Sequence, residues 1–479
     1  MDLDECARAQ VHHEEQALAA LYAQRATVMA RQRVVDEELV RATANSRAAA
    51  LDREAIERLL ATQREFTRRR GALVTPIHRL PEEILVTIFR AARSSPRCRP
   101  AFIIAAVCST WRDLAISCCP LWAAAYLDVT KSLRHAFEYA QVVLHRSGRL
   151  PLCVALRGPS KIDAEAMLAL EQVVPDLVMR ARELDVRQSD LLLSANGLDV
   201  PVKSSLLKFL QLPTPLLSRL CFYANHLSLG HPHFLPSVPV LRTLDLGVFP
   251  LDMIPAAALQ ALEHIELFAN LKPGDLATLS ITAPMLRSMQ VPGIPSTHPI
   301  ISSPFSCLEI LEISRLRDLL LFSAESLPSV RSLMICVRED ELVTSQLPTM
   351  PHLRALRLPL PCSWPAVMSL LVQLPQIEEL ELQYPGDTTS LWTDWSTPPN
   401  INVLPRLHTL CIERAKFVAT DEAAELAGFL EARAERALAV PDQIAPLKRL
   451  LLRNSSFPQW LVRRLDASVE AVIITRDNA

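Results

Sequence analysis

Apolar residues return along this chain in two different rhythms, and the change between them falls near residue 76. In the first stretch they recur every seven positions, at Leu21, Val28, Val35, Ala42, Ala49 and Ile56. The residues between are strongly charged, with Glu54/Arg58 and Glu65/Arg69 at the i,i+4 spacing that supports a helix. This predicts one long helix over 1–72, with Gly71 as its stop. Three positions C-terminal to each apolar residue stand Gln24, Arg31, Glu38, Asn45, Asp52 and Leu59, so only one column of a coiled-coil seam is sustained. Two outcomes stay open: a weak coiled coil making a homo-oligomer through this N-terminal helix, or a helix that packs on its own protein or stays half-solvated. The basic run Arg68 to Arg70 complements the helix dipole in the last turn and needs no reading as a nuclear address.

All 36 prolines lie from Pro76 onward. The segment "PIHRLPEEILVTIFRAA" opens a helix at Pro81, with Glu82 and Glu83 at its positive end. Ile84, Leu85, Ile88 and Phe89 follow as one apolar stripe. After a proline-containing connector, "IAAVCSTWRDLAISCCPLW" supplies a second stripe of Val107, Trp111, Leu114 and Ala115. A three-helix unit over 76–125 is predicted, with more apolar surface than so few residues can hide. These residues resemble the F-box, whose pattern is met by Leu80, Pro81, Glu83, Ile84, Leu85, Ile88, Phe89, Val107, Cys108, Trp111, Arg112, Leu121 and Trp122. The resemblance implies docking on a Skp-type adaptor subunit, and through it on a cullin, with Leu80, Pro81, Ile84, Leu85, Ile88, Phe89, Val107 and Trp111 as the contact residues.

Beyond a linking segment at 126–174, a pattern P-x-L-x-x-L-x-L takes over. Its first apolar position falls at Leu217, Leu241, Leu262, Leu286, Leu308, Val330, Leu353, Ile377, Leu407 and Leu447, spaced by 21 to 24 residues and then by 30 and 40. Weaker copies flank these at Ala181, Leu184, Val186 and at Val469, Val472, Ile474. The period and core resemble leucine-rich repeats, which implies a parallel sheet built one short strand per unit over 175–479. The asparagine expected after the last apolar position occurs only at Asn225 and Asn270, so an irregular solenoid is expected.

Strand alternation then sets an outward column of Cys221, Asp245, Glu266, Gln290, Glu312, Met334, Arg357, Glu381, Cys411 and Leu451. Neighbouring columns add Arg219, Glu379, Glu413, Arg449 and Arg453. Two readings of the column stay open: an ordinary solvated sheet face, or an acidic middle giving way to a basic end that holds a protein substrate with a basic segment through Asp245, Glu266, Glu312, Arg357 and Glu381. Two insertions break the period. One carries Trp392 and Trp395 in an aromatic loop that is a candidate contact point. The other predicts a helix from Asp421 to Ala439, with Leu426, Phe429, Leu430 and Leu438 on its inner side.

Composition narrows the chemistry. A formal net charge of -2 over 479 residues gives no electrostatic footprint for nucleic acid. The eleven cysteines include no C-x-x-C and read as buried apolar residues in a reducing compartment. With no bilayer-length apolar run and no basic-then-apolar leader, the expectation is a cytoplasmic or nuclear protein without membrane contact. The ten glycines are too far apart for a P-loop, a dinucleotide fingerprint or a nucleophile elbow. His231-Pro232-His233 and His12-His13-Glu14-Glu15 lack a zinc partner cluster, and Glu339-Asp340-Glu341 reads as a solvated turn. The fold class expected is multidomain α plus α/β: a long N-terminal helix, a three-helix F-box-like module and an irregular leucine-rich-repeat solenoid with a parallel sheet. The function implied is a non-enzymatic substrate-recognition adaptor of an SCF-type ubiquitin ligase, without cofactor or metal. The alternative is a repeat-based interaction scaffold attached to no ligase.

Overall fold

Alternation of apolar and polar residues over four to eight positions produces fourteen strands among the described residues, and these pair in parallel in the order of the sequence. They are β1 (Ala124–Asp128), β2 (Leu152–Gly158), β3 (Ala181–Gln188), β4 (Arg219–Tyr223), β5 (Thr243–Leu246), β6 (His264–Leu267) and β7 (Ser288–Val291). The sheet continues with β8 (Ile310–Ile313), β9 (Ser332–Ile335), β10 (Ala355–Pro359), β11 (Glu379–Gln383), β12 (Thr409–Glu413), β13 (Arg449–Arg453) and β14 (Ala471–Thr475). The computed structural model describes residues 3–74, 77, 80–92, 100–130, 132–158, 164–188, 205–223, 234–247, 251–268, 271, 274–294, 300–337, 347–359, 364–383, 389–397, 400–415, 417, 420–466 and 468–475. The Asn225 and Asn270 positions, His231 to His233, Glu339 to Glu341 and most of the connector before Pro100 lie outside them.

The chain divides into two units, Met1–Leu85 and Val86–Ala479. The first is dominated by α1 (Leu3–Val74), which runs straight through Gly71. That glycine therefore does not end the helix: glycine costs about 1 kcal/mol in a helix interior but does not by itself stop one. Large apolar side chains along α1 remain exposed, among them Leu21, Val28, Val35, Leu39 and Ile56.

The helix α2 (Glu82–Ala91) begins where expected, its first turn closed by amides of Ile84 and Leu85 donating to the Pro81 carbonyl. Next come α3 (Pro100–Val107) and α4 (Ser109–Ser117). Cys108 sits at the N-cap of α4, where its sulfur accepts the Trp111 amide (3.4 Å). Trp122 closes the module; it is buried, and its indole N–H donates to the Ala115 carbonyl (2.7 Å) at the end of α4.

The stretch 126–174, read from the sequence as a linking segment, belongs to the sheet: it holds most of β1, all of β2, α5 (Leu133–Arg146) and part of α6 (Ala164–Met179). Ser132 caps α5, and Gly148 follows its end at φ +58, a left-handed conformation that costs an L side chain about 1–2 kcal/mol. Arg180 covers the same helix end, donating to the Ser147 hydroxyl (2.8 Å) and the Leu150 carbonyl (2.9 Å).

In each repeat the first apolar position is buried, from Leu217 to Leu447. The two apolar strand positions that follow are buried with it, so three side chains per unit form a continuous core that no unit could bury alone. The 30- and 40-residue gaps contain the helices Thr389–Ser396 and Thr420–Ala439.

Candidate functional site

Two surfaces carry the residues singled out from the sequence. Along the motif, Leu80 (36%), Ile84 (47%), Ile88 (42%) and Val107 (56%) keep substantial solvent exposure, and Pro81 is exposed as well. Leu85 and Phe89 do not: both are buried, at 3% and 2%. On a helix, neighbours in sequence point about 100° apart, so Ile84 and Ile88 share one face while Leu85 and Phe89 share the next. The single stripe expected from the sequence is thus two faces, and Leu85 and Phe89 are core residues with no surface to offer a partner. Trp111 is half-buried, edge-on to Phe89 with ring centroids 4.8 Å apart, so it too serves packing. Phe102 and Ile103 on α3 are exposed apolar residues that the sequence reading left inside an irregular connector.

The second surface is the outward face of the sheet. Strand register places Cys221, Asp245, Glu266, Gln290, Glu312, Met334, Arg357, Glu381, Cys411 and Leu451 in one row, each opposite the next. Asp185 extends that row on one side and Ile473 on the other. The row is less solvated than alternation alone suggests, with Cys221, Asp245 and Cys411 buried.

Its charges are also largely answered from within. Asp245 accepts from Arg219 (3.1 Å) and from the Cys221 thiol (2.8 Å). Burial, reinforced by Asp245, pushes that thiol up to about 12, so it stays a neutral donor. Glu381 lies between Arg357 (3.4 Å) and Arg453 (3.7 Å). Asp245 and Glu381 are therefore structural anions, which corrects their assignment as free substrate contacts, and Arg357 is engaged likewise. Glu266 and Glu312 remain: Gln290 stands between them and, with its amide nitrogen turned toward the carboxylates, donates to Glu312 Oε2 (3.1 Å) and Glu266 Oε1 (3.3 Å). Burial, then Asp245 and Glu312, push the Glu266 carboxyl above the usual carboxylate range.

Beside this pair lies an aromatic couple. Tyr223 ends β4 and Phe268 directly follows β6, two strands along, with ring centroids 5.2 Å from each other. Gly247 continues the ladder between them, its amide donating to the Phe222 carbonyl and the Phe268 amide donating to the Leu246 carbonyl. With no side chain between them, the rings lean together; Phe268 is 46% exposed, and the Arg187 guanidinium covers Tyr223 at 4.9 Å.

A further row escaped the sequence reading. From Leu241 to Ile377 the residue after the first apolar position of each unit is charged, and these form a ladder at the start of the strands, pairing Arg242 with Glu263 (3.1 Å), Arg287 with Glu309 (3.1 Å) and Arg354 with Glu378 (2.6 Å). The signal was present as charge at one fixed repeat position, its sign alternating from Arg242 to Arg331.

Trp392 and Trp395 are not a contact point. Both are fully buried on the helix Thr389–Ser396, where Trp395 stacks on Phe429 at 4.6 Å and Trp392 lies 5.7 Å from the same ring. The flanking polar and proline residues read as loop, but two large apolar rings three positions apart on a helix serve its buried face. The neighbouring insertion helix buries Leu426, Phe429 and Leu430 as expected, whereas Leu438 is 84% exposed. The buried row instead runs Ala423, Leu426, Leu430, Arg433, Ala437, at alternating spacings of three and four.

Among the described residues no trio of His, Cys, Asp or Glu could hold a metal ion, and no helix is long and apolar enough to cross a membrane. No protein-family model matches the chain, and no curated protein matches it.

Proposed function

We propose that the chain is a substrate-recognition adaptor of an SCF-type ubiquitin ligase. The F-box-like segment docks on a Skp-type subunit, and the strands that follow form an irregular leucine-rich-repeat solenoid that holds a protein substrate. The observation that carries this reading is the exposure of Leu80, Ile84, Ile88 and Val107, four aliphatic positions of the motif. Aliphatic side chains held in water at motif spacing are what a partner chain would cover, each worth about 1.5–3 kcal/mol on full burial. On the sheet, Glu266 and Glu312 beside the exposed Phe268 ring suit a basic side chain of the substrate, whose cation would meet carboxylates and an aromatic face together. The chain itself supplies proximity and orientation, and the ubiquitin chemistry belongs to other subunits.

The test is binding of the full chain to an immobilised Skp-type subunit. Ile84→Lys with Ile88→Lys should weaken it by about 100-fold or more, with the circular dichroism spectrum unchanged, since central apolar contacts each carry about 2 kcal/mol or more. Failure of the unaltered chain to bind, or equal binding by the double variant, refutes the docking mode and leaves the repeat scaffold as the reading to pursue. For the sheet, Glu266→Lys with Glu312→Lys should abolish capture of a substrate that the unaltered chain holds; undiminished capture removes the basic-segment idea.

A further inference from the structure

The unresolved question on α1 is what covers its apolar side chains. Leu18, Leu21, Val28, Val35, Leu39, Ile56 and Leu60 are each 49–63% exposed. Of the fifteen large apolar side chains exposed among the described residues of α1, these seven and Val11 fall on two rows. Beside the row Leu21, Val28, Val35, Ala42, Ala49, Ile56 runs a second, three positions N-terminal to each member: Leu18, Arg25, Gln32, Leu39, Ser46, Arg53, with Leu60 next. Rows offset by three and four are the two columns of a helix-pairing seam. The second row reads the same from either end: leucine, arginine, polar, leucine, polar, arginine, leucine, centred on Leu39.

Charge divides at the same place. From Met1 to Glu38 there are eight Asp/Glu and four Arg; from Leu39 to Leu73 there are eight Arg and four Asp/Glu. Two copies side by side in the same direction would set acidic half on acidic half and basic on basic. Reversed, each acidic half lies along a basic half, and the two-fold axis falls within a turn of Leu39. In one such register, the long polar residues Arg25 and Gln32 oppose Ala49 and Ala42 of the second copy, where a small side chain leaves them room to reach flanking carboxylates. Leu18 then opposes Ile56, and Leu39 opposes Val35.

We propose that α1 is a self-association element, and that its occupant is α1 of a second copy of this chain, packed antiparallel. The charge halves select that direction, and the one sustained apolar column with the leucines of the second row supplies the adhesion.

The full chain should therefore sediment as a dimer, twice the 53.3 kDa monomer, and dissociate more readily in 0.5 M than in 0.05 M salt. Orientation is read with a short bismaleimide linker in a Cys6→Ser background. Leu18→Cys should not link to itself, because antiparallel copies place those positions about 60 Å apart along the helix. Mixed with Leu60→Cys chains it should link, above the level given by the parent. Self-linking of Leu18→Cys, tighter association at high salt, or a monomer at every concentration would each overturn the proposal. Circular dichroism of each variant confirms that the helix is retained, so loss of linking cannot come from loss of α1.

Discussion

Arg433 is a cation inside a core, and replacing it tests how the insertion helix is fastened to the sheet. It is fully buried, and one guanidinium nitrogen, Nη2, donates to the carbonyls of Leu404 (2.8 Å), Leu407 (3.0 Å) and Ala445 (3.3 Å). Its Nε and Nη1 have no partner among the described residues. Burial pushes its pKa down to about 10, so holding it charged in the folded chain costs about 3 kcal/mol. Hydrogen bonds from a charged donor contribute about 1.5–3 kcal/mol each, and a buried carbonyl left unpaired by their loss costs about 1–3 kcal/mol. Arg433→Met keeps the volume, removes the charge and strands the three carbonyls. The urea midpoint should fall by about 1 M, for a slope of about 2 kcal/mol/M. Trp392 and Trp395, packed on Phe429 of the same helix, make tryptophan fluorescence a local reporter of the transition. The sign with pH follows from the depressed folded value: above about 10 the unfolded chain binds a proton that the folded chain has lost, so stability gains with rising pH. The variant should lack that gain. An unchanged or higher midpoint for Arg433→Met would refute the assignment of the arginine as a net fastening.

Three further outcomes are expected. Glu266→Gln should raise the thermal midpoint at pH 7, by less than about 1 kcal/mol in stability, because it removes a carboxylate disfavoured by burial and by its neighbours Asp245 and Glu312. The folded carboxyl titrates above the ordinary range, so its destabilising effect appears as pH rises through that value, and the difference between variant and parent should vanish in thermal melts near pH 4. Trp395→Ala should lose about 3–5 kcal/mol in urea unfolding, whereas Trp460→Ala, at a site 38% exposed, should stay within about 1 kcal/mol of the parent. Gly148→Ala should lower the midpoint by about 1–2 kcal/mol, since φ +58 is strained for any residue with a Cβ.

The sheet row was readable because a strand with one buried face has a period of two, and a slip by one residue would expose every leucine. Ten residues from Cys221 to Leu451 could therefore be aligned without coordinates, and β3 and β14 found from weaker copies. What alternation does not convey is how well an outward residue is solvated. Asp245 is buried because Arg219 and Cys221 on the adjacent strand close over it, a pairing set by side-chain reach and not by period. Arg433 was hidden for the same reason: it occupies a core position of its helix, and only the three open carbonyls opposite make a buried arginine tolerable.

The same distinction separates folding from docking within α2. Ile84 and Leu85 are adjacent aliphatic residues of the same size, yet one is 47% exposed and the other 3%. Nothing in composition or helical period ranks them; the angle of about 100° between neighbours does, once the buried side is known. Substitutions at Leu85 or Phe89 therefore report on the fold, and a loss of binding there would say nothing about an interface. Only Leu80, Ile84, Ile88 and Val107 can discriminate, because their side chains already stand in water and changing them leaves the core as it was. The sheet face obeys the same logic in charge: Asp245 and Glu381 hold arginines of their own chain, whereas Glu266 and Glu312 of the same row flank the Gln290 amide.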